Sequence, residues 1–291
     1  MNKVKVKTGE EIAYRERTGS GKKLVLIHGN MTSSKHWDIL MENLPDDYHL
    51  LAPDMRGFGK SSYNNRFDSL EELAFDLIDL LEQKNFDNYN LIGWSTGGGV
   101  AMEIAAKLPD QIKKLILLES VSTRGYPILK KDENGQPIPG ELLKTKEEIA
   151  SDPVQVLPVL SAQKNNDKET MKQIWNSLIY TDNQPEEDKY EEYLEDMMTQ
   201  RNLIDIDYAL ANFNLSDQHN GLQTGNNKAE KISVPTLILQ GDQDKVVPME
   251  MAKAIKEDIG DNAEIQILKN CGHSPLIDDL DQLIDAITSF L

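Results

Sequence analysis

The sequence holds one cysteine, Cys271, so no disulfide can form within the chain. No apolar run approaches the roughly 20 residues that a helix needs to cross a bilayer. The N-terminal stretch "MNKVKVKTGEE" has no apolar core of the signal-peptide kind. Positive charge is also scarce: 31 Lys and Arg stand against 49 Asp and Glu, a formal net charge of −18. Such a surface repels nucleic-acid phosphates and anionic lipid headgroups, so neither nucleic acid nor a membrane is an expected partner. H-E-x-x-H, C-x-x-C and clustered metal ligands are all missing, so no metal and no cofactor is expected. These absences point to a cytoplasmic protein that meets a small molecule.

What is present is alternation. Short apolar runs at 23–28 (KLVLIH), 48–53, 89–94, 112–120, 235–241 and 263–268 read as strands. Helical patterns lie between them at 69–83, 97–107, 249–258 and 280–290. In the first, Leu70, Leu73, Leu77 and Leu80 share a face, with Ser69 as N-cap and Glu72 at N3. Residues 3–7 and 11–17 read as an edge hairpin. Near-continuous apolar strands imply a mostly parallel sheet covered by helices on both faces, an α/β fold. Between Ser122 and Ile232 the alternation stops. Helical patterns at 145–151, 154–163, 168–179, 186–200 and 203–213 read as an inserted helical cap, with "KKDENGQPIPG" at 130–140 as a loop inside it. The expected domains are therefore a core of 1–121 and 233–291 and a cap of 122–232.

The stretch "LIGWSTGGG" at 91–99 places a serine at a sharp turn between strand and helix. Gly93-Trp94-Ser95-Thr96-Gly97 fits G-x-S-x-G, in which small residues two positions either side leave room for a strained, exposed nucleophile. A serine hydroxyl needs a base, and the base an orienting acid. Of five histidines, His273 sits in a loop, "NCGHSPLIDD", after the last strand; His49 reads as structural, and His36 and His219 as peripheral. The loop "GDQDKVVP" after the strand at 235–241 offers two acids. We read Asp244 as the orienting acid and Asp242 as bonding its own loop backbone. A calcium loop is excluded there, because Val246, Val247 and Lys253 occupy positions that need oxygen ligands. Oxyanion donors are expected from the N–H groups of Thr96 and Asn30, with Met31 as the alternative to Asn30. "GFGKSS" at 57–62 is not a phosphate loop, since Asp54 stands where the first glycine belongs.

The order Ser95, Asp244, His273, with "HGN" upstream and "DMRGFGKSS" between, resembles the α/β-hydrolase superfamily. "DMRGFGKSS" is similar to that superfamily's D-x-R-G-x-G-x-S element, in which Asp54 and Arg56 would brace the loop near the nucleophile. "HGNMTSSKHW", "GWSTGGGVA" and "SVSTRGYP" also resemble intracellular poly(3-hydroxybutyrate) depolymerases of Bacillus type. The resemblance implies a serine esterase for short acyl or 3-hydroxyacyl esters, with an acyl-enzyme intermediate. A thioesterase, lactonase, amidase or carbon–carbon hydrolase would use the same triad, and a non-catalytic binding protein could share the fold. Trp94, Met31, Trp37 and Tyr126 are expected to touch substrate. Met102, Trp175, Met197 and Met198 are further candidate walls, and Cys271 is read as a buried filler.

Overall fold

The computed structural model describes all 291 residues. Eight strands form one sheet: β1 (Asn2–Lys5), β2 (Glu11–Arg17), β3 (Lys23–Ile27), β4 (His49–Pro53), β5 (Tyr89–Trp94), β6 (Ile112–Leu118), β9 (Thr236–Gly241) and β10 (Ala263–Leu268). Their spatial order is β1-β2-β4-β3-β5-β6-β9-β10. The hairpin β1–β2 and the β2–β4 pair are antiparallel; every other neighbour is parallel. The chain starts at the β1 edge, and its parallel part begins at β3 and winds outward both ways, to β4 on one side and through β5 to β10 on the other. All six residues of β5 are buried, as a parallel strand covered on both faces requires.

The covering helices follow the expected pattern. They are α1 (Asp38–Asn43), α2 (Leu70–Gln83), α3 (Thr96–Lys107), α9 (Met249–Ile259), α10 (Pro275–Asp278) and α11 (Leu280–Phe290). Ser69 caps α2 by accepting the Glu72 N–H, while the Glu72 carboxylate reaches back to the Asp68 N–H. The buried face of α2 includes Leu70, Leu73, Leu77 and Leu80, packed with α3 on one side of the sheet. The other side buries Leu26, Ile92, Trp94 and Leu118 against α1 and α11.

Between β6 and β9 the chain leaves the sheet. It forms β7 (Leu129–Lys131), β8 (Pro137–Leu142), α4 (Lys146–Ala150), α5 (Leu157–Asn165), α6 (Lys168–Leu178), α7 (Glu187–Met197) and α8 (Leu203–Asn212). The five helices fall where the periodicity places them. The hairpin β7–β8 replaces the loop expected at 130–140. Its turn explains it: Gly135 has φ +76°, and Asp132 Oδ1 accepts the N–H groups of Asn134 and Gln136. The insertion is tied to the sheet's carboxyl edge by polar contacts. Ser33 Oγ donates to Asp196 at 2.7 Å, Tyr193 Oη to Asp38 at 2.6 Å, and Asn202 Nδ2 to the Arg56 carbonyl at 2.7 Å.

Candidate active site

Ser95 stands between the carboxyl end of β5 and the first turn of α3, with φ 55° and ψ −120°. That backbone is costly for a residue with a Cβ, on the order of 1–3 kcal/mol, and persists because its surroundings over-determine it. Its N–H donates to Leu118 O, and its carbonyl accepts from Gly98 and Val121. The glycines answer to sterics. A Cβ on Gly93 would enter the Gly97 carbonyl, and one on Gly97 would enter the carbonyls of Ile27 and His28. At Gly29 a Cβ would come within 3.1 Å of the Ser95 Cβ, a contact tight enough to push the β3 loop and the serine apart by a few tenths of an ångström. Ser95 Oγ makes no hydrogen bond within the protein, and the residue is half-buried.

His273 lies on the loop between β10 and α10. Its Nδ1 is 2.8 Å from Asp244 Oδ2, with both side chains almost completely buried. Asp244 Oδ1 accepts the N–H groups of Val246 at 2.7 Å and Val247 at 3.0 Å. Burial opposes the charge on Asp244, but His273 and these donors outweigh it and hold the carboxyl below the ordinary Asp range. Asp244 therefore bonds its own loop as well as the imidazole. Asp242, expected to bond its own loop, instead accepts the Asn270 N–H at 2.8 Å and joins the β9 and β10 loops.

The loop after β3 is rigidly braced. His28 Nε2 accepts the Met55 N–H at 3.0 Å, so Nδ1 carries the hydrogen and donates to Gly29 O at 2.8 Å. Burial pushes His28 down to about 4, so the ring is neutral near pH 7. Asp54 accepts the N–H groups of Ser34 and Lys60, and Arg56 forms a bidentate pair with Asp76 at 2.7 and 2.9 Å. Asn30 N–H has no partner in the protein, whereas Met31 N–H donates to Asn30 Oδ1 at 2.9 Å. Of the two, Asn30 is the free donor. Thr96 N–H opens α3, where helix geometry provides no internal acceptor.

The insertion reaches this loop with groups that sequence reading missed. Asn30 Nδ2 donates to Asp207 of α8 at 3.1 Å, and Asn30 Oδ1 accepts Gln200 Nε2 at 2.8 Å. Burial of the Asp207 carboxyl pushes it up to about 7. Glu119, directly after β6, is fully buried beside Asp244. A lone acid closing an apolar strand was the available signal for Glu119; nothing local in the sequence marks Asp207.

The expected wall residues divide. Met31 and Tyr126 are half-buried, and Tyr126 Oη donates to Val246 O at 3.1 Å, beside the Asp244 loop. Trp37 is completely buried and packs edge-on to Trp94 at 6.1 Å, so it cannot wall an open cleft. Trp94 is also buried, its Nε1 donating to the His273 carbonyl at 2.9 Å. Met102, Trp175 and Met197 are core residues; only Met198 of that group is partly open. His36 is buried and stacked on Tyr193 rather than peripheral, while His49 pairs with Glu16 at 2.9 Å. Cys271 is buried and its thiol is pushed up to about 12, chiefly by burial.

The sequence matches the family described as alpha/beta hydrolase fold over residues 22–280. The chain belongs to that family. It is 25% identical to "Lipase 1" of Psychrobacter immobilis, across 97% of this chain and 81% of that protein. It is also 25% identical to "Lipase 3" of Moraxella sp., across 93% and 78%. The fold matches that of an esterase from Exiguobacterium antarcticum with a TM-score of 0.74 at 21% identity, covering 99% of this chain and 98% of that one. No helix is long and apolar enough to cross a membrane.

Proposed function

We propose that this chain is a serine hydrolase that cleaves carboxylic esters of short acyl or 3-hydroxyacyl groups, in the cytoplasm and without a cofactor. The observation that carries the reading is a strained, unpartnered Ser95 at the β5–α3 turn, in a fold that also holds a loop histidine at 2.8 Å from Asp244. The similarity to two lipases over more than nine-tenths of this chain supports an ester as substrate.

In this scheme His273 Nε2 takes the proton of Ser95 Oγ as the oxygen attacks the ester carbonyl. Asp244 accepts from Nδ1–H, which fixes the tautomer and stabilises the imidazolium. The N–H groups of Asn30 and Thr96 receive the oxyanion, each contributing roughly 2.7–4 kcal/mol. The tetrahedral adduct collapses, His273 returns the proton to the leaving alcohol, and an acyl group remains on Ser95. Water then attacks it, giving its proton to His273; the acid leaves and Ser95 recovers its hydrogen. The segment 122–232 acts as a cap whose Met31-facing side and Tyr126 border the acyl site.

Hydrolysis of p-nitrophenyl acyl esters of increasing length, with 3-hydroxybutyrate oligomers and a thioester alongside, tests this. Turnover of the esters by the wild type and none by Ser95→Ala is expected. Retained turnover in a folded Ser95→Ala protein would remove the assignment.

A further inference from the structure

The acyl-transfer scheme gives Glu119 no task, yet the fold holds it in an unusual way. It follows β6 directly and has φ 43°, a left-handed backbone that a glutamate rarely adopts. Its exposure is 0%. Oε1 accepts the Gly241 N–H at 2.7 Å, at the end of β9. Oε2 is buried and no N–H group in the protein reaches it. The Asp244 carboxyl lies beside it.

Two carboxylates in that contact, both out of water, cannot both be ionised. A hydrogen bond between them requires one proton. The donor sets decide where it sits. Asp244 receives two backbone N–H groups and the His273 Nδ1–H, whereas Glu119 receives one backbone N–H. The negative charge belongs on Asp244. The other groups facing Glu119 reinforce this. Asp278 of α10 is a further acid, and the Cys271 thiol stays neutral. No cation acts directly on Glu119. Burial first, then Asp244, pushes Glu119 well above the ordinary Glu range.

We propose that Glu119 is a positioning residue: it carries a proton on Oε2 and donates it in a hydrogen bond to Asp244, so that the pair bears one negative charge and Asp244 is locked toward His273. This rests on the reading of Ser95, His273 and Asp244 given above. It differs from a purely structural brace, for which the Gly241 N–H contact alone would suffice. At alkaline pH the second ionisation would put two charges on the pair, break the hydrogen bond and release the orientation of Asp244.

Three readouts on the full-length protein test it. The infrared difference spectrum of wild type minus Glu119→Gln at pH 7 is expected to show the C=O stretch of a protonated carboxyl. No such band overturns the proposal whatever the enzyme does, so this arm fails separately from the triad reading, which Ser95→Ala tests. Glu119→Gln keeps both a donor and an acceptor; its kcat is expected within about twofold of wild type, with the alkaline fall of kcat lost. Superposable pH profiles overturn the proposal. Glu119→Ala removes the donor and is expected to lower kcat about tenfold at unchanged KM; an unchanged kcat overturns it. Should Glu119→Ala fail to fold, the Glu119→Gln profile and the infrared band carry the decision.

Discussion

The indole of Trp94 donates its Nε1 hydrogen to the backbone carbonyl of His273 at 2.9 Å. The residue before the serine thus holds the loop of the histidine, across 179 positions of sequence. The two rings lie 6.0 Å apart, and Trp37 packs edge-on to the indole. Trp94 is a spacer between two loops rather than a wall of the cleft.

Replacing Trp94 with Phe keeps most of the packing and deletes the hydrogen bond. One such bond is worth roughly 0.5–1.5 kcal/mol, so kcat is expected to fall about two- to tenfold. The ratio of rates between short and long acyl esters should stay as in the wild type. A shift in that ratio would return Trp94 to the substrate site.

Asp244→Asn probes the orienting acid. An amide placed there can turn its NH2 toward Nδ1, which stabilises the tautomer with hydrogen on Nε2 and leaves Ser95 without an acceptor. A loss in kcat on the order of 10⁴-fold is expected, with the fold retained as judged by circular dichroism. A loss below tenfold would mean that another group orients His273.

Asp207 gives a prediction about stability. Its folded-state value of about 7 lies above the unfolded value of about 3.9. Between those pH values the folded protein binds more protons than the unfolded chain, so stability falls as pH rises from about 4 to about 7. Asp207→Asn removes this loss and keeps an acceptor for Asn30. Its stability gain over wild type should be near zero at pH 4 and reach ~1–3 kcal/mol at pH 8, less than the full shift because the residue is partly open to solvent. Thermal unfolding at the two pH values checks it; a gain independent of pH contradicts it.

Legibility followed locality. β5, β10 and α11 were readable to the residue: β5 is an apolar run, β10 alternates apolar and polar residues, and α11 repeats apolar residues at helical spacing. Ser95, Asp244 and His273 stood out because each follows such a strand in the sequence. The groups around them were harder. Gln200 and Asp207 meet Asn30 from 170 and 177 positions away, and no period or spacing carries that contact. Trp37 could not be assigned to core or cleft, since a large aromatic serves either. The hairpin β7–β8 was hidden by Pro137 and Pro139, which remove N–H donors and are tolerated only where a strand has a free edge. Glu119 was missed: an acid ending an apolar strand is a faint signal, and its partner was set by the order of β6 and β9 in the sheet.

The central claim is that Ser95 is the nucleophile. Treatment with a fluorophosphonate, followed by intact mass and peptide mapping, tests it most directly. The expected result is one adduct per chain, on Ser95, absent from Ser95→Ala and greatly slowed in Asp244→Asn. No adduct on the folded wild type, or an adduct that persists in Ser95→Ala, would contradict it.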